Sequence, residues 1–221
     1  MMDHRIIIIP VRRQRASYAY CTSSPERLKT IQTTQTETLY MRMVGQDAWA
    51  NLSEPVKRLH KGTVRATGRF TIRRGESIAA RVVARLMRLP SAGVDVPVRL
   101  AVTAHARGER WARTFGTDTP LVTEQWAGAD GEIVERIGPT EVRYRLEVAG
   151  GALYYRHTGT ALRLGPIRLP LPRMFAPRIA ARESALTNEN STHISVEVSH
   201  PLLGRLISYK GFIEIKEKDE G

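Results

Sequence analysis

From Val64 onward the chain alternates apolar and polar side chains with a period of two. In VRATGRFTIR, Val64, Ala66, Phe70 and Ile72 share one face, while Arg65, Thr67, Arg69, Thr71 and Arg73 share the other. The same alternation recurs at Val94, Val96, Val98, Leu100 and Val102, at Val142, Tyr144, Leu146 and Val148, and at Ile194, Val196 and Val198. One wet face and one buried face predict an antiparallel sheet. Arg107-Gly108, Asp130-Gly131 and Gly150-Gly151 suit its hairpin turns.

Three stretches depart from the alternation. ESIAARVVARLMRL, Glu76 to Leu89, gathers Arg81, Arg85 and Arg88 into one narrow sector at 100° per residue, with Ile78, Val82, Val83 and Leu86 on the apolar side. This predicts an amphipathic helix stopped by Pro90, packing through Val82 and Leu86 with its arginines in solvent. Earlier, TETLYMRMVGQDAWANL predicts a short helix presenting Leu39, Tyr40, Met43 and Trp49, broken near Gly45. Ser53 and Pro55 then open a second helix ending near His60. GPIRLPLPRMFAP carries four prolines in thirteen residues, so it should be an edge, a crossing segment or a lid. The strands HISVEVSHPLLGR and LISYKGFIEIK close the pattern around a turn at Pro201 to Gly204.

The resulting fold class is α+β and mostly β: a strongly bent antiparallel sheet or partial β-barrel of about 8 to 10 strands, with one inserted amphipathic helix and short N-terminal helices. Residues 1–35 lack periodicity and are expected to be a disordered or loosely attached basic tail, dispensable for folding. Residues 36–221 should form a single antiparallel β-rich domain.

Composition narrows the function. A chain of 221 residues with 42% hydrophobic side chains can build a real core. The apolar run Ile6 to Pro10 is far short of a membrane span, and the single cysteine, Cys21, points to a cytoplasmic location. The net charge of +12 would suit an anionic partner, but the 28 arginines are scattered singly through every predicted strand, which argues against nucleic acid. No P-loop, GxGxxG, HExxH, GxSxG or CxxC is present, and His4, His60, His105, His157, His193 and His200 lack ligand spacing. Neither a cofactor nor a metal is expected.

Candidate chemistry lies where alternation sends polar residues inward. In ERWARTF, Arg113 shares a face with Trp111 and Phe115, and in EIVERIG, Glu135 shares one with Ile133 and Ile137. A buried guanidinium needs a partner, and Glu135 is the natural one; any donor left over could hold a ligand carboxylate or other anion. In GRLISYKGF, Tyr209 follows the Ile207 and Ile213 face, and Lys210 points the other way with Phe212; a lysine in an apolar pocket could form a Schiff base. Trp49, Trp126, Tyr144, Tyr154 and Tyr155 read as core or pocket-lining aromatics.

The ordered motifs VGQDAWANLSEPVKRLH, G-x-F-x-I-x-R-G, LMRLPSAGVDVPVRLAV, GERWARTF, ERIGP, GPIRLPLP and PLLGRLISYKGFIEI resemble the bacterial domain-of-unknown-function family numbered 4166, over about Leu39 to Glu214. The resemblance implies no reaction. It implies stand-alone proteins or domains attached to dinucleotide-binding or membrane modules, in small-molecule or lipid metabolism. A curved sheet with an inserted helix tends to enclose an apolar hollow. The leading expectation is therefore a cavity for a small apolar or amphipathic molecule, lined by Trp111, Arg113, Phe115, Glu135, Tyr209 and Lys210. The rivals are an enzyme using Glu135, Tyr209 or Lys210 in the same cavity, and a basic module docking an acidic partner.

Overall fold

The structure, a computed structural model, describes residues 37–87, 89–186 and 190–216, so the expectation for residues 1–35 lies outside the described residues. Three short helices come first: α1 (Leu39–Val44), α2 (Gln46–Ala50) and α3 (Glu54–Leu59). Thr38 caps α1 by accepting a hydrogen bond from the Met41 amide, and Gly45, at φ +82°, makes the break before α2 that the sequence places there. Pro55 sits in the first turn of α3, where its missing N–H is no loss.

Eleven strands follow: β1 (Val64–Arg74), β2 (Gly93–His105), β3 (Gly108–Phe115), β4 (Leu121–Ala127), β5 (Glu132–Ile137), β6 (Thr140–Ala149), β7 (Ala152–Leu164), β8 (Ile167–Pro170), β9 (Arg178–Ala185), β10 (Ser191–His200) and β11 (Gly204–Ile215). Helix α4 (Ile78–Leu86) lies between β1 and β2. Every pairing is antiparallel, in the order β6-β5-β4-β3-β2-β1-β11-β10-β9-β7-β8, and β6 also pairs with β7. The sheet therefore closes into a ten-stranded barrel, with β8 as an extra strand on the outer half of β7. Closure removes the free strand edges that an open sheet would have to protect.

The turns and glycines explain how the barrel bends. Asp130-Gly131 and Gly150-Gly151 both hold positive φ at two successive positions, the geometry of two-residue hairpins. On the facing strands β1 and β11, a Cβ at Gly68 would fall 1.8 Å from the Phe212 carbonyl oxygen, and one at Gly211 2.0 Å from that of Arg69. Only glycine lets the two backbones approach so closely at this corner.

Two ends can be distinguished from the register. At the lower end lie the hairpin turns at 106–107, 128–131 and 150–151, and α1 and α3 pack there against β4, β6, β9 and β10. The Ser53 amide donates to the Gly151 carbonyl, tying this helical plug to the β6–β7 turn. At the upper end lie α4, the turns at 138–139, 165–166 and 201–203, and the 171–177 segment. The core runs between them, from Tyr40, Leu59 and Leu153 through Ile213 to Phe70 and Ile207.

Two expectations need correction. Alternation puts Val94 on the inner face, yet it is 82% exposed, because β2 bulges opposite Phe70 to Ile72, with Asp95 in the left-handed region at φ +57°. The bulge adds a residue and reverses the alternation on its far side. Helix α4 also presents a different face: Ala80 and Ala84 are fully buried, whereas Val82 and Leu86 are 52% and 78% exposed. Small side chains let the helix lie close to β11 and β1, and that close approach turns the larger ones outward.

Candidate functional site

The barrel encloses an apolar cavity of about 110 Å³. Its walls carry Phe70, Val98, Phe115, Ile207 and Tyr209, its upper end Leu89, Pro90, Leu121 and Ile137, and its lower end Gln125, Tyr155 and Glu183. Strand parity places these groups. On β3, Glu109, Trp111, Arg113 and Phe115 alternate inward; on β4 Thr123 and Gln125 do so, on β5 Ile133 and Glu135, and on β9 Ile179, Ala181 and Glu183.

Arg113 is the cationic group on the cavity wall, which also carries the carboxylates of Glu135 and Glu183. One guanidinium nitrogen donates to Thr123 Oγ1 at 3.0 Å and stands 3.5 Å from Glu135 Oε1, while the guanidinium lies over the Trp111 ring, 4.9 Å from its centroid. Its other N–H groups make no hydrogen bond among the described residues. Burial is the largest single influence and opposes the charge, but Glu135 together with Tyr209, Tyr40 and Tyr155 outweighs it, so the arginine pKa is raised. Burial above all pushes Tyr144 well up and also raises Tyr209, so both stay neutral hydroxyls near pH 7.

The floor is a hydrogen-bonded polar layer. Tyr40 donates to Gln125 Oε1 at 2.6 Å, Tyr155 to Glu183 Oε1 at 2.9 Å, and Glu183 Oε2 meets His60 Nε2 at 2.6 Å. The Tyr40 and His60 rings stack at 3.7 Å, and Trp111 donates to Glu109 Oε2 at 3.0 Å. Burial raises the Glu109 pKa against the opposing pull of His60 and the Trp111 N–H. His60 Nδ1 is buried without a hydrogen-bond partner among the described residues.

Of the sequence candidates, Trp111, Arg113, Phe115, Glu135 and Tyr209 border this cavity, and Arg113 faces Glu135. Lys210 does not: it is exposed on the outer surface, beside Thr71 and Ser195 in register, because alternation that turns Tyr209 inward turns Lys210 outward. Tyr144 and Tyr155 line the cavity, whereas Tyr154 lies outside, flanked by the guanidinium groups of Arg156 and Arg182. The floor residues Glu109, Gln125 and Glu183 were missed. Their parity with Trp111, Thr123 and Ala181 was the signal that could have found them; Tyr40 and His60 come from helices whose docking no strand pattern announces. Among the described residues no cluster of His, Cys, Asp and Glu is placed to hold a metal.

A family model described as a domain of unknown function (DUF4166) matches residues 52–213. The chain is a DUF4166 protein. The match begins at Leu52, not at Leu39, so in this DUF4166 chain it takes in the barrel from β1 into β11 together with α3, while Tyr40 lies before it. No curated protein matches the sequence. Among solved structures, one from Nostoc punctiforme PCC 73102, described as a protein with unknown function from the DUF3598 family, is similar at 10% identity with a TM-score of 0.40, over 76% of this chain and 49% of that one. The DUF4166 chain thus spans about half the length of that protein.

Proposed function

We propose that the barrel binds a small apolar or amphipathic molecule, its apolar part against Phe70, Phe115 and Tyr209 and its anionic or acceptor end at Arg113. The observation that carries this reading is an apolar cavity inside the barrel with one incompletely bonded guanidinium on its wall. An apolar engineered cavity of about 150 Å³ admits benzene, so the smaller space here, about 110 Å³, suits a short chain. A fixed donor set on the wall gives such a ligand its orientation. The closed helical floor leaves the upper end, near Leu89 and Pro90, as the direction of entry.

Trp111 beneath Arg113 provides the readout. Titration with short-chain carboxylic acids, followed by intrinsic fluorescence, should saturate, and Arg113→Met should weaken binding at least tenfold without unfolding the barrel. Saturable binding unaffected by Arg113→Met would move the polar end of the ligand elsewhere. Native mass spectrometry of the purified protein, with no small molecule bound and no acid or neutral analogue taken up on addition, would remove the binding reading altogether.

A further inference from the structure

Ten of the twelve large apolar side chains left exposed among the described residues lie at the upper end of the barrel. They form two groups on different sides of the cavity's upper end. Above β1 and β11, α4 presents Ile78, Val82 and Leu86, at 75%, 52% and 78% exposure. Above β7, the second group includes Ile167 of β8 and Met174 and Phe175 of the adjoining segment.

Each group is accompanied by positive charge. On α4, Arg81 and Arg85 occupy the sector next to the apolar stripe, with Ala80 and Ala84 turned to the barrel. Beside the second group, Arg143, Arg168, Arg173 and Arg178 line an outer cavity of about 870 Å³ that holds one carboxylate, Glu132. Arg81, Arg85, Arg173 and Arg178 are exposed and make no ion pair among the described residues. Large apolar side chains next to arginines, repeated on two separate prominences, fit a flat partner that is anionic at its surface and apolar just beneath it.

We propose that the upper rim docks on an anionic lipid bilayer. The Ile78, Val82 and Leu86 stripe and the Met174 and Phe175 side chains enter the boundary between headgroups and acyl chains, and the four arginines meet lipid phosphates. The contact proposed is peripheral, because the inserted side chains belong to one short helix and one connecting segment at the rim. Docking does not require the cavity to hold a ligand; where both hold, Leu89 and Pro90 bring the cavity's upper end to the lipid surface.

The test is cosedimentation of the full chain with phosphatidylcholine vesicles, with and without phosphatidylglycerol. Binding should need phosphatidylglycerol and weaken as salt is raised, because surface charge attraction is screened. Ile78→Asp with Leu86→Asp should reduce binding at least tenfold with an unchanged melting temperature. Arg173→Ala with Arg178→Ala should reduce it by roughly fivefold per arginine. The basic segment 1–35 is present in every variant, so anionic binding that survives both double substitutions assigns the contact to that segment and overturns the proposal. Equal binding to pure phosphatidylcholine would also overturn it. So would a concentration-dependent dimer dissolved by Leu86→Asp, which would make the stripe a contact between two copies of the chain.

Discussion

The two ends of the barrel handle their side chains in opposite ways. At the lower end Tyr40, His60, Glu109 and Glu183 are polar and almost completely buried; hydrogen bonds tie the helical plug to β4, β7 and β9, and Glu109 accepts one from Trp111 within β3. At the upper end Ile78, Leu86 and Phe175 are apolar and exposed. Burying polar groups is tolerable only when each finds a partner, so the floor's order depends on its network. Exposing large apolar groups serves no purpose in holding the fold, so the upper end is where an outside surface must be sought.

The comparison is easiest to break at Glu183, whose carboxylate serves both His60 and Tyr155. Glu183→Leu should cost about 3 to 5 kcal/mol in chemical denaturation, because it leaves two buried polar groups without their acceptor. Glu183→Gln should cost clearly less, since an amide still offers one acceptor. Equal, small losses for both would show that the floor is held by packing of Val56, Leu59 and Trp49 alone.

Midway between the ends, Arg113 and Glu135 face each other across the cavity wall. Arg113→Met and Glu135→Leu should each lose about 2 kcal/mol, and the double substitution should recover much of it, because one uncompensated charge is worse than none. Strict additivity in denaturation would mean that the 3.5 Å pair contributes little and that Thr123 is the partner that matters.

On the outer surface near the upper end, the Glu141 side chain is held between Arg163, at 2.7 Å, and Arg168, at 2.9 Å. Burial opposes its charge, but these two donors win and keep its pKa below the ordinary carboxylate value. Such a group stabilises the fold fully above its unfolded pKa of about 4.3, and the contribution fades as pH falls through the lower folded value. Glu141→Gln should therefore cost about 1 kcal/mol at pH 7, screened because both arginines are partly exposed, and the gap from wild type should close as pH falls below about 4. A gap independent of pH would show that the loss comes from geometry and not from charge.

Alternation made the barrel legible because its strands obey a period of two with few exceptions, and the same parity brought Arg113 and Glu135 inward from sequence alone. Where it failed, a local device had intervened. The bulge at Asp95 inverted Val94, and a register shift beside Arg143 and Tyr144 occurs where β7 carries an extra residue at Thr158. Closure itself was beyond the pattern, since the pairing of β6 with β7 joins neighbours in sequence, whereas that of β1 with β11 joins strands more than 130 residues apart. The floor was unreadable for a further reason: His60 and Glu183 meet across 123 residues, and each looks like an ordinary surface residue until the helices dock.

Helix α4 shows how a correct periodicity can still assign the wrong face. Its largest residues predicted the buried side, yet Ala80 and Ala84 are fully buried and Leu86 is 78% exposed. Burial is decided by the distance between backbones: a helix that lies close to β11 has room for a methyl group at the contact and none for an isobutyl group. Leu86→Asp should accordingly change stability by less than about 0.5 kcal/mol, as a surface substitution does, where a core leucine replaced by aspartate would lose several. Thermal and chemical denaturation of this one variant measure the difference between the two ends directly. A loss of several kcal/mol would mean that Leu86, not Ala84, faces the barrel in solution, and the upper end would then be packed like the lower one.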